Sequence, residues 1–321
     1  MNLKYCIVLL TAIIFYSADS ASAQKTTNSS FKVIPLGVYG GSDESNLSCY
    51  MLSANNSNNY VCLDAGTLHA GLVKAIEKKS LKGDVGYVLK HDIKGYLISH
   101  PHLDHVAGLI INSPDDSAKN IYGLPFCLST IQNNYFSWKS WANFGDEGEQ
   151  PLLKKYHYVS LSDSETALQN TGMYVRAFEL SHSNPYKSTA FLVRNDSSYI
   201  LYLGDTGADT IEHSTKLAAL WQYIAPLVIQ QKLKGIFIEV SFPDEQPGDK
   251  LFGHLTPSLL FEEMKKLSAL SSLQQLQKVP VIITHIKPTG NNVSIIKNEL
   301  QQKNQLKLHL IFPQQGEIIN L

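Results

Sequence analysis

A chain of 321 residues with 44% hydrophobic residues carries enough apolar side chain to bury one large core or two smaller ones. Its formal net charge of −1 excludes a broad surface for tracking a polyanion, so nucleic acid is not an expected partner. A small anionic ligand would have to be met by local charge, for instance by metal ions.

The chain opens on Lys4, an apolar stretch from Tyr5 to Ala18, and then Ala21-Ser22-Ala23. This order of basic, apolar and small-x-small residues predicts a signal peptide over 1–23, cleaved after Ala23, and a secreted or periplasmic mature domain over 24–321. The apolar stretch is short against the roughly 20 residues that span a bilayer, so no stable membrane anchor is expected. Cleavage leaves Cys49, Cys62 and Cys127, an odd count that leaves at least one thiol unpaired within the chain. Cys49 and Cys62 flank the turn at 54–59, and either a disulfide or two buried thiols fits that spacing.

Alternating and β-branched runs predict strands at 31–38, 48–53 and 60–63, the last ending in Asp64-Ala-Gly-Thr67. A short helix is expected over 72–79, a buried strand over 93–99, and a helix over 106–111 that packs through Val106, Leu109 and Ile110. Residues 112–160 read as less regular. They hold five aromatic residues between Tyr135 and Phe144, which serve either as core or as a helical cap whose rings stack on a flat base. Further strands are expected at 174–180, 189–194, 199–203, 235–240, 279–284 and 306–312, with helices at 215–231, 257–267 and 293–303. No internal repeat or domain boundary interrupts them.

The densest chemistry is His100-Pro-His102-Leu-Asp104-His105, directly after the strand at 93–99. Imidazole and carboxylate together suit zinc, manganese or iron. His100 and His102 share a side of an extended chain, whose period is two, and Asp104 and His105 can reach a second ion nearby. His182, Asp205 and His285 each come directly after a predicted strand as well. A lone histidine in such a place is ordinary. Together, the seven side chains suffice for two ions with positions left open for water.

The order H-x-H-x-D-H, then His, Asp and His, resembles the metallo-β-lactamase superfamily over essentially the whole mature chain. The longer stretch His100-Pro-His-Leu-Asp-His-Val-Ala-Gly-Leu-Ile-Ile-Asn-Ser-Pro114 resembles the signature of class II 3′,5′-cyclic-nucleotide phosphodiesterases. Leu103 and the Ser113-Pro114 tail make that match narrower than the superfamily motif. The resemblance implies an α+β fold, a four-layer αβ/βα sandwich with an inserted, partly helical cap. It implies that His100, His102 and His182 hold one metal, that Asp104, His105 and His285 hold a second, and that Asp205 bridges them. Asp64 would brace the His-rich loop. Glu239, at the end of an apolar strand, and His254, before a helix capped by Thr256, resemble the Glu…His-x-Thr pair of the phosphodiesterase branch. In that reading His254 is general acid or phosphate clamp and Glu239 orients it; otherwise both are structural. His69, His91, His157, His213 and His309 lack any such company.

The function implied by this resemblance is hydrolysis of cyclic AMP or cyclic GMP to the 5′-monophosphate by two divalent ions and a bridging hydroxide. Zinc is favoured by the imidazoles and by the resemblance; iron and manganese suit the same donors. The alternatives are another hydrolase on this scaffold (a lactamase, a lactonase or a different phosphodiesterase) and a protein that binds cyclic nucleotide or metal without turnover. A homo-oligomer is compatible with the sequence.

Overall fold

The computed structural model describes residues 29–321, so the expected signal peptide lies outside the described residues. Among the described residues fourteen strands form two seven-stranded mixed sheets. The first runs in spatial order β14 (Ile319–Asn320), β1 (Phe31–Gly37), β2 (Cys49–Ala54), β3 (Tyr60–Leu63), β4 (Ile93–Leu97), β5 (Lys119–Gly123) and β6 (Tyr156–Ser160). The second runs β13 (Leu310–Ile311), β12 (Val281–Thr284), β11 (Leu233–Glu239), β10 (Ser198–Tyr202), β9 (Lys187–Asn195), β8 (Tyr174–Ser181) and β7 (Thr166–Ala167). Each sheet is antiparallel over half its width and parallel over the other half.

Apolar residues on both faces of both sheets require cover on both sides. Between the sheets, Tyr50 of β2 meets Phe237 of β11 edge to face, with ring centroids 5.5 Å apart, and meets Tyr202 of β10 at 5.9 Å. Outside the first sheet, Leu72 and Leu109 of the helices His69–Glu77 and Leu103–Asn112 pack on Met51, Tyr96 and Ile98. Outside the second, Trp221, Ile224, Leu260 and Met264 of the helices Lys216–Ile229 and Pro257–Leu270 cover Leu201, Ile236 and Ile283. Three cores separate four layers, which is the expected αβ/βα sandwich. Among the described residues no helix is long and apolar enough to cross a membrane.

Two elements differ from the expectation in ways that matter. The segment 112–160 supplies β5 and β6, whose polar composition hides them. Lys119 enters the core because Asp116 Oδ1 stands 2.6 Å from its ammonium, while Asp116 Oδ2 accepts from Tyr96 and Tyr156 at 2.7 and 2.8 Å. The aromatic segment divides: Phe136 is buried and stacks on Tyr156 at 5.7 Å, Tyr135 donates to the Pro101 carbonyl at 2.7 Å, buttressing the His-rich loop, and Phe144 packs partly against the same core, whereas Trp138 and Trp141 are exposed. Cys49, Cys62 and Cys127 are all buried free thiols. Cys62 lies opposite Met51 and not Cys49 in the β2–β3 ladder, so the disulfide alternative is not the one adopted.

Candidate metal centre

All seven predicted ligands converge at one end of the sandwich. Ser99 and His100 come after β4, and His102 is the extended residue that precedes the helix Leu103–Asn112. That helix starts three residues earlier than the expected Val106. Asp104 and His105 therefore sit in its first turn, aimed by helical geometry rather than by a loop. His182 comes after β8, Asp205 after β10, and His285 after β12 with φ +56°. Asp64, at the end of β3, also has φ +56°. Left-handed backbone at two non-glycine residues marks a local cost that the surrounding packing sustains.

Among the described residues five overlapping groups of donor atoms could hold an ion, and two of them are the triads that the resemblance implies. His100, His102 and His182 form one cluster, and Asp104, His105 and His285 another. Within the first, His102 Nδ1 lies 3.0 Å from His100 Nε2 and 3.4 Å from His182 Nε2. Zinc–nitrogen bonds of about 2.0–2.1 Å in a tetrahedral site put nitrogens about 3.3 Å apart, so the triad has the right spacing for an ion. Asp205 stands between the clusters, 3.7 Å from His100 Nε2 and 3.3 Å from both His105 Nε2 and His285 Nε2. His105 Nε2 and Asp205 Oδ1 are buried with no hydrogen-bond partner. Orphaned buried polar atoms are costly unless something satisfies them, and a cation would.

The protein holds the far side of each ring. The Asp64 carboxylate accepts from His105 Nδ1 at 2.7 Å. The Gly253 carbonyl accepts from His182 Nδ1 at 2.8 Å. Ser99 Oγ donates to Asp64 at 2.8 Å and so accepts from His100 Nδ1 at 3.0 Å. Ser241 Oγ donates to Glu239 at 2.6 Å and accepts from His285 Nδ1 at 2.9 Å. With the proton on Nδ1 in each case, the Nε2 lone pairs of His100, His182 and His285 are free to face the centre, and on His105 an ion would take the place of the proton that the surrounding carboxylates favour. Asp64 thus braces the loop as expected, with Tyr202 also donating to it at 2.6 Å.

Burial and the neighbouring histidines set the charges. Burial pushes His182 down to about 4 and His100 well below the ordinary imidazole range, which keeps both neutral as metal ligation needs. Burial also disfavours charge on Asp104 and Asp205, but His105 and His285 outweigh it and hold both carboxyls ionised far below the usual range. His105 resists burial for the converse reason: Asp205, Asp64 and Asp104 surround it and raise it.

Glu239 and His254 form a second unit beside the ligands. His254 Nδ1 donates to Glu239 Oε1 at 2.7 Å, and both residues are buried. Glu239 is further held by the Thr206 and Leu255 amides at 3.1 and 3.3 Å and by Ser241. Burial works against the His254 imidazolium, but the Glu239 charge overrides it and raises the group above its ordinary value. His254 also reaches Asp205, at 3.8 Å. Two glycines make room for this packing. A Cβ on Gly40 would fall 2.2 Å from His285 Cε1, and one on Gly253, at φ +77°, would fall 2.1 Å from the Ser183 amide nitrogen.

Sequence reasoning missed Ser99, Ser241, Tyr202, the Gly253 carbonyl and the Gly41 amide, which donates to Asp104 Oδ2 at 2.9 Å. Ser99 and Ser241 do carry one weak signal, since each ends or directly succeeds a predicted strand that leads into the site.

A family model for class-II cAMP phosphodiesterases matches residues 26–316. A 3′,5′-cyclic-nucleotide phosphodiesterase of Aliivibrio fischeri is 41% identical over 97% of this chain and 97% of its own length. A probable 3′,5′-cyclic-nucleotide phosphodiesterase of Yersinia pestis is 37% identical over 97% of this chain and 92% of its own. Among solved structures, unliganded yeast PDE1 matches with a TM-score of 0.80 at 23% identity, over 91% of this chain and 100% of that one. The metallo-β-lactamase fold protein YhfI of Bacillus subtilis matches at 0.60 and 16% identity, over 90% and 99%. At these identities the two structures speak for the fold alone.

Proposed function

Because the chain belongs to the class-II cAMP phosphodiesterase family, we propose that it hydrolyses 3′,5′-cyclic nucleotides to 5′-monophosphates at a two-metal centre. The observation that carries this is the pair of donor triads with Asp205 between them, next to a buried His254–Glu239 dyad. His100, His102 and His182 would hold one divalent ion, Asp104, His105 and His285 the other, and Asp205 both. Two such ions, when bound, acidify a shared water and neutralise charge on the phosphoryl oxygens.

The remaining work falls to the protein. As the water oxygen bonds to phosphorus, the 3′-oxygen leaves and needs a proton. His254 would carry one: Glu239 accepts from Nδ1 and stabilises the imidazolium, and the proton on Nε2 would be the one that passes to the leaving oxygen. Asp64, Ser99, Ser241 and Gly253 fix the ligand rings, so the donors need no rearrangement during the reaction. Zinc fits the all-imidazole triad best, with iron and manganese suited to the same donors.

Purified mature protein, loaded with zinc, iron or manganese in turn, should convert cyclic AMP or cyclic GMP to the 5′-monophosphate. It should act poorly on a β-lactam, a lactone and an acyclic diester. Preference for lactam or lactone would move the assignment to another hydrolase of this fold. Binding of cyclic nucleotide without product would make it a binding protein. Export belongs to the same proposal, resting on the basic, apolar and small-residue order of the first 23 residues. Mass spectrometry of the mature chain should find Gln24 first, and a retained Met1 would refute cleavage.

A further inference from the structure

Among the described residues, the carboxylates Asp104, Asp205 and Glu239 at the centre each face an imidazole, and one cation beside them has no carboxylate partner. Lys287 lies two residues beyond His285 and is half-buried. Its amide donates to the Ser241 carbonyl at 3.2 Å, which ties it to the residue that holds both His285 and Glu239. Its Cγ lies 3.9 Å from where a Cβ on Gly41 would stand, and the Gly41 amide binds Asp104 Oδ2. Its ammonium stands 5.6 Å from the Phe242 ring centroid, and that ring meets the His254 ring at 5.7 Å. Lys287 therefore lies beside Gly41, which binds Asp104 of one triad, and beside Phe242, which packs on His254, the proposed proton donor. Its charge bears on His254, where it opposes Glu239. No carboxylate among the described residues pairs with it, although Asp104, Asp205 and Glu239 all have imidazole partners. A lysine side chain next to an aromatic face is held in place without being neutralised.

We propose that Lys287 binds the phosphoryl group of substrate and product, and so selects anionic phosphodiesters over the neutral acyl substrates that a metal centre of this kind could equally polarise. The inference rests on the phosphodiesterase reading. Negative charge on the phosphoryl oxygens grows on the way to the pentavalent transition state, so an ammonium within reach stabilises that state more than the bound diester. A hydrogen bond to a charged group carries about tenfold to a hundredfold in affinity or rate.

The test uses the full metal-loaded chain with Lys287→Met and Lys287→Arg. The methionine variant should keep its metal content and its melting temperature. It should lose about tenfold to a hundredfold in kcat/KM for cyclic AMP, and its rate should respond less to ionic strength. Inhibition by inorganic phosphate should weaken by a similar factor, and arginine should restore most of both. A methionine variant within about twofold of wild type in kcat/KM and in phosphate inhibition overturns the proposal. So does a loss that arginine does not repair and that accompanies a fall in melting temperature. If wild type fails to turn over any cyclic nucleotide, the phosphodiesterase reading fails by itself. Calorimetric titration of inorganic phosphate into metal-loaded wild type and Lys287→Met then still decides the role of Lys287, with equal affinities counting against it.

Discussion

Asp205→Ala is expected to lower kcat for cyclic AMP by more than about a thousandfold, well beyond the tenfold to hundredfold typical of residues that only orient a ligand. Its carboxylate lies within 3.9 Å of five imidazoles, those of the proposed ligands His100, His105, His182 and His285 and that of His254. No other acidic side chain among the described residues lies between the two triads. Removing it takes away a shared donor from the space between the two triads. Elemental analysis should then find fewer than two ions per chain. Two tightly held ions together with activity within about tenfold of wild type would show that Asp205 is no bridge. Asn in its place should recover stability, because it fills the same space, but not metal binding, because it carries no charge.

His254→Ala is expected to lower kcat by about 10²- to 10⁴-fold, the usual span for loss of a positioned acid. The distinguishing measurement is the leaving group. A diester that expels a p-nitrophenolate needs little protonation, so the loss on that substrate should shrink while the loss on cyclic AMP persists. Glu239→Gln should have a smaller effect of the same kind, about tenfold to a hundredfold, since glutamine still bonds Nδ1 but no longer favours the imidazolium. An equal loss on both substrates, accompanied by loss of metal, would instead make His254 a ligand alongside His182 and Asp205, with which it also clusters.

The metal centre was legible because its chemistry is local. Four donors in six residues cannot easily serve another purpose, and the strand-end positions of His182, Asp205 and His285 could be counted from hydrophobic runs. What brings those strands side by side is not local. β10, β11 and β12 are parallel neighbours separated by long helical crossovers, and nothing in their sequences states the order. For the same reason the resemblance, not the periodicity, supplied the four-layer sandwich. The outer hydrogen bonds were hidden differently. Tyr202 reads as an ordinary strand aromatic, and only the closing of one sheet over the other carries its hydroxyl to Asp64. β5 escaped notice because the charge of Lys119 argues against burial, and the compensating Asp116 shows its effect only in three dimensions. The helix start at Leu103 was missed because His102 offers no usual capping side chain.

Each triad draws donors from both halves of the molecule. His100, His102, Asp104 and His105 belong to the first sheet and its helix, whereas His182, Asp205 and His285 belong to the second. An ion in either place would therefore be a clasp across the sandwich, and its occupancy would be linked to the docking of the two halves. A ligand that binds only the assembled form adds about 2.7 kcal/mol of stability at a hundred times its dissociation constant. The midpoint of thermal unfolding should then rise with free metal and fall under a chelator, and it should do so equally in His254→Ala. In such a molecule metal supply would govern how long the protein persists as well as how fast it turns over.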